Sequence, residues 1–151
     1  MIPDWTAAET NTHQDHVIAH VIGATVLGHF STDQAAHLLL DIGFIWTIYV
    51  DGEMGLVPDS VAIAEVEAGE EVKAELAADA ELLHDEGRSA EGLARMVPAP
   101  VECLITDVIL HARGERRRIL INGEEADLAV ETNPAAGEVE VRAEPPAAND
   151  G

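Results

Sequence analysis

At 151 residues the chain is long enough to bury one core, and it is expected to form a single domain over 1–144 with a flexible tail at 145–151. Hydrophobic residues make up 47%, which excludes a disordered polyelectrolyte, although 29 acidic residues against 8 basic ones give a net charge of −21. Such a charge repels phosphate backbones and anionic headgroups, so no nucleic acid and no membrane surface is expected as a partner; a protein partner or a second copy of the chain stays open. The acidic residues are spread along the chain and Lys73 is its one lysine, a pattern that points to adaptation to high salt.

The N-terminal "MIPDWTAAETN" lacks a basic region followed by an apolar one, so no signal peptide and a cytoplasmic location are expected. Residues 13–29 read as a helix, with Asn11 or Thr12 as cap, Asp15 in the first turn and apolar residues around most of the circumference after Val17. A second helix is expected from Ser31 or Thr32 to about residue 41. The segment "IGFIWTIYV" (42–50) is β-branched and aromatic and reads as a buried strand, followed by turn residues "DGEMG" and a returning hairpin strand over 60–67. The apolar runs at 17–30 and 38–50 fall short of a membrane span and carry His or Asp.

From Glu70 to Glu86 the positions Val72, Leu76, Ala80 and Leu83 recur at helical spacing, and "SAEGLARM" adds a short helix before "PAP" at 98–100. The segments "VECLITDVILHAR", "RRILING", "ADLAVE" and "EVEVRAE" read as strands of an antiparallel meander. The expected class is α+β: two N-terminal helices, an antiparallel sheet made of a hairpin plus the C-terminal meander, and one or two further helices.

"HQDHVIAH" gathers three of the 7 histidines within eight residues. On a helix, His13, His16 and His20 fall within roughly 60° of one another, and His16 and His20 form an i,i+4 pair. His37 and Asp41 would form a second such pair on the second helix. Packed antiparallel, the two helices offer His13, His16, His20, His37 and Asp41 to one cation, a set that suits zinc, or iron or manganese. "HVIAH" has the zincin histidine spacing without its glutamate, so a general base would have to come from Asp15, Asp41 or Glu53. His29, His84 and His111 read as structural, and so does Cys103, the single cysteine, which excludes an intrachain disulfide.

"RGERRR" runs against the overall charge. Arg113, Arg116, Arg117 and Arg118 are four of the eight basic residues, and they either offer a contact for an anion or partner or neutralise Glu115, Glu124 and Glu125 across the hairpin. Neither a nucleophile elbow nor a phosphate loop is present, so binding ranks above catalysis. The chain reads first as a small acidic metal-binding protein. The alternative is a non-catalytic interaction or assembly protein whose apolar N-terminal elements form an oligomer interface.

A charge of −21 makes folding sensitive to screening. The Debye length shrinks from about 30 Å at 0.01 M salt to about 3 Å at 1 M. The melting temperature is expected to rise steeply between about 0.05 M and about 2 M potassium chloride. A flat profile in differential scanning calorimetry overturns the high-salt reading.

Overall fold

The apolar run that begins at Val17 does not stay helical. In the computed structural model, which describes residues 5–32, 34–65, 69–84, 96–124 and 127–144, a two-residue strand β1 (Thr6–Ala7) precedes helix α1 (Thr12–Val21). Asn11 caps α1: its side chain accepts from the Gln14 N–H while the Gln14 side chain accepts from the Asn11 N–H, a reciprocal arrangement worth about 1 kcal/mol. At the other end Ile22 turns extended and Gly23 takes φ +95°, a left-handed conformation open to glycine. The chain leaves as strand β2 (Thr25–Thr32), so the helix expected to residue 29 ends eight residues earlier.

The second expected helix is also a strand. β3 (Ala35–Leu40) runs antiparallel to β2, with His37 opposite Phe30 and Leu38 opposite His29. Both of its faces are covered: Ala36, Leu38 and Leu40 enter the main core and Leu39 enters a second one. A strand buried on two sides has no alternation of apolar and polar residues, which is why "AAHLLL" resembles a helix segment.

β4 (Phe44–Tyr49) lies within the expected strand, but its hairpin partner does not lie at 60–67. The chain reverses at once, with the Tyr49 N–H donating to Glu53 O and Gly52 at φ +90°, and returns as β5 (Met54–Pro58). Pro58 has no N–H to extend a ladder, and α2 (Asp59–Ala64) follows with a carboxylate in its first turn. Helix α3 (Glu70–His84) occupies most of the expected 70–86. The helix expected at 89–96 lies, except for Met96, outside the described residues, as does the tail at 145–151.

Strands β6 (Val97–Arg113), β7 (Arg116–Gly123), β8 (Asp127–Asn133) and β9 (Glu138–Glu144) pair antiparallel in chain order. Among the described residues they join the N-terminal strands in one nine-stranded sheet, ordered β5-β4-β3-β2-β6-β7-β8-β9, with β1 on β6. The expected architecture of two N-terminal helices with a hairpin and a meander is thereby corrected to a mostly antiparallel sheet with few helices.

The sheet curls until β9 packs near β3. Leu38, Leu40, Trp46, Ile48 and Met54 from one half meet Leu110, Ile119, Ile121, Leu128 and Val130 from the other, with Val17 and Val21 of α1 in the same cluster. On the opposite face of β2–β4, Phe30, Leu39 and Ile45 pack against Ile63 of α2 and Leu76, Ala80 and Leu83 of α3. The apolar N-terminal elements are therefore spent largely on the chain's own interior. No helix among the described residues is long and apolar enough to cross a membrane.

Gly28 sits where β2, β6 and α3 crowd. A Cβ there would lie 2.6 Å from Leu83 Cδ1 and 2.8 Å from the Val97 carbonyl oxygen, and the carbonyl cannot swing away. Gly28→Ala is expected to lower stability by about 1–3 kcal/mol in urea unfolding. Gly55→Ala, where a Cβ meets nothing within 4 Å, should change it by less than about 0.5 kcal/mol. Equal effects would overturn the close-packing account.

Candidate anion-binding face and the histidine positions

Strand alternation sorts the arginines. Leu110, Ile119 and Ile121 point into the core, so His111 and Arg113 of β6, with Arg116 and Arg118 of β7, lie on the outer face of the sheet. The register sets His111 opposite Arg118 and Arg113 opposite Arg116. β1 pairs with the other edge of β6, Thr6 opposite Ala112 and Ala7 opposite His111, and this carries the half-buried Trp5 onto the same patch. The guanidinium carbons of Arg113 and Arg118 stand 4.8 and 5.0 Å from the centroid of the Trp5 ring. The ring's negative face offsets part of the repulsion between the two cations.

Among the described residues no carboxylate pairs with Arg113, Arg116 or Arg118. Glu131, opposite Arg118 in the ladder, is held instead by Arg142. Glu115 and Glu124 are exposed and pair with no arginine, and Glu125 lies outside the described residues. Two nitrogen atoms at the patch, Arg118 Nε and His111 Nδ1, are buried without a hydrogen-bond partner among the described residues. Arg116, Glu131, Asn133, Glu138 and Glu140 border a shallow depression beside it, so the cationic ground is bounded by the glutamates of β8 and β9.

Arg117 does not belong to this patch. Alternation sends it to the other face, where its stem lies against Gly52 and its guanidinium donates to the Gly114 and Arg116 carbonyls, each at 2.9 Å. Trp5 completes the patch and has no signal in its local sequence. Its place depends on a strand pairing across 106 positions, the separation of Thr6 from Ala112.

The five residues expected to share one cation are not gathered at one point: three stay on α1 and two lie on and beside β3. His13 Nε2 lies 2.9 Å from the Met54 carbonyl oxygen, which can only accept, so His13 is protonated at Nε2 and turned toward β5. His16 and His20 are exposed on α1, and His20 donates its Nδ1–H to the His16 carbonyl at 2.9 Å. His37 and Asp41 lie on β3 and at its end, where four residues span about 13 Å rather than the 6 Å of a helix. Asp41 accepts from the Thr25 N–H at 3.0 Å. Among the described residues no three His, Cys, Asp or Glu side chains are gathered as a metal-holding group.

Of the residues considered as a general base, Asp15 accepts from the Thr10 hydroxyl and Glu53 from the Asn11 amide, so both brace the start of α1. His29 belongs to β2, not to a helix end, and burial lowers its pKa. Cys103 is fully buried, and that burial, followed by the charge of Asp127, raises its pKa to about 11, which keeps the thiol protonated.

His37 is fixed on every side. Its ring stacks on Phe30 with centroids 4.7 Å apart, Nε2 lies 3.0 Å from the Thr32 hydroxyl and Nδ1 3.0 Å from the Thr47 hydroxyl. No family model matches the chain, and neither a curated protein nor a solved structure gives a match.

Burial lowers the His37 pKa from 6.5 to about 4. Between those values the unfolded chain takes up a proton that the folded one refuses, so stability is lost as pH falls from about 6.5 to about 4. His37→Gln is expected to flatten the melting temperature across that window relative to the wild type. Identical slopes for the two proteins would refute the buried neutral imidazole.

Proposed function

We propose that the protein is a non-catalytic binding protein that holds an oxyanion, carboxylate or phosphate, on the outer face of β6 and β7. One observation carries this reading: three guanidiniums without carboxylate partners share a patch in a chain of net charge −21. With 29 acidic residues to choose from, leaving them unpaired favours an anion that arrives from outside. Arg113 and Arg118 lie over the indole of Trp5 and have no acceptor among the described residues, and guanidinium N–H groups match the two oxygens of a carboxylate or phosphate. The negative charge elsewhere confines such a ligand to this patch and disfavours extended polyanions and anionic bilayers.

Binding without catalysis is supported by the side chains that would otherwise do chemistry. His37 is held between two threonine hydroxyls, and the Cys103 thiol is buried and protonated. The acidity supports work at high salt. A single, fully buried cysteine is compatible with a reducing cytoplasm.

Titration with inorganic phosphate and with citrate at constant ionic strength, followed by tryptophan emission, tests the assignment. Trp5 is expected to report saturable binding, while Trp46 is fully buried and should not respond; a Trp5→Phe protein checks this. The Arg113→Gln/Arg118→Gln protein should lose about tenfold or more in affinity, one to two charge-assisted hydrogen bonds' worth. Arg117→Gln should bind as the wild type does. Absent saturation, or equal affinity in the double variant, overturns the proposal.

A further inference from the structure

The histidine pair on α1 has no part in the anion patch. His16 and His20 are both exposed, one helical turn apart on the same face, with Cα atoms about 6 Å apart along the axis. The His16 carbonyl can only accept, so the 2.9 Å contact from His20 fixes the proton on Nδ1 and leaves the Nε2 lone pair pointing away from the backbone. Metal-binding histidines are commonly prepared in this way, with one ring nitrogen tied to a carbonyl so that the other is oriented and more basic. The His16 ring makes no hydrogen bond among the described residues and is free to turn toward its neighbour.

We infer that His16 and His20 form a two-imidazole site for a transition-metal dication of the zinc, copper or nickel type, with water in the remaining positions. His37, Asp41 and His13, which spacing alone groups with this pair, take no part in the site. β3 carries the first two away from α1's i,i+4 geometry, and the third is bonded to β5. Imidazole nitrogen selects such metals over magnesium or calcium, which prefer oxygen. The field of a −21 chain raises the local concentration of dications without choosing among them. Bound metal bridges the last two turns of α1 and so strengthens the helix.

Untagged protein titrated with zinc chloride in excess magnesium, followed by nitrogen-15 NMR of the histidine rings, tests the inference. The Nε2 resonances of His16 and His20 are expected to shift saturably at one zinc per chain, while His20 Nδ1 keeps its proton. His16→Ala and His20→Ala should each weaken binding by at least the roughly tenfold that even an outer partner of a metal ligand is worth. His37→Ala should leave it unchanged. Both α1 positions are exposed, and circular dichroism establishes that each variant is folded. Zinc binding with no shift at these rings, full competition by magnesium, or single variants that bind like the wild type would each overturn the inference.

Discussion

The ladder between β2 and β6 holds the molecule together. Every other neighbour pair along the main path of the sheet is a hairpin between strands consecutive in the chain; β2 and β6 alone join distant segments, Thr25 to Leu104 and His29 to Val97. β6 is long enough to serve both halves. Its first part pairs with β2 while its last part pairs with β7 on one edge and β1 on the other. Because the two halves meet along this line, curling the sheet brings Leu38 and Trp46 onto the same core as Ile119 and Leu128. Gly28 lies on that line, and its lack of a side chain admits both the β6 backbone and α3.

The cationic patch exists because of the same strand. β6 presents His111 and Arg113 outward where β7 presents Arg116 and Arg118, and β1 closes the row with Trp5. Four arginines within six positions would ordinarily be counted as one charge cluster. Sheet geometry divides them, sending Arg117 inward to Gly52 and keeping the rest together. The arginines thus owe their common face to alternation, and the ring beside them to a contact formed by the far end of the chain.

How much of this was legible depended on whether burial was one-sided. Although β6 already begins at Val97, ahead of the expected start, the later strands carry β-rich segments set off by Gly, Asn and Pro, so their places could be read from spacing. β3 could not be, because cores on both of its faces erase the alternation and leave an apolar run of ambiguous period. The early end of α1 rests on Gly23, one of two glycines in an apolar stretch. At the sites, the local His16–His20 spacing survived into the structure, whereas the wider metal set fell with the second helix. Trp5 was invisible for the opposite reason, since nothing nearby in sequence announces a partner a hundred residues away.

The bond from His13 to Met54 has a further consequence. In the β4–β5 hairpin the Tyr49 N–H donates to the Glu53 carbonyl, so alternation turns the next carbonyl, that of Met54, outward to the open edge of the sheet. An open edge invites a strand from another molecule, and acidic proteins ordinarily deter it by mutual repulsion. Concentrated salt removes that deterrent, since charges more than a few ångströms apart no longer feel one another. Here a helix lies against the edge, His13 occupies its carbonyl, and Gln14 and Asn11 reach the adjoining turn at Gly52 and Glu53. The barrier to self-association at β5 is therefore built of hydrogen bonds and bulk, and it persists in solutions where the charge of the surface has ceased to keep neighbours apart.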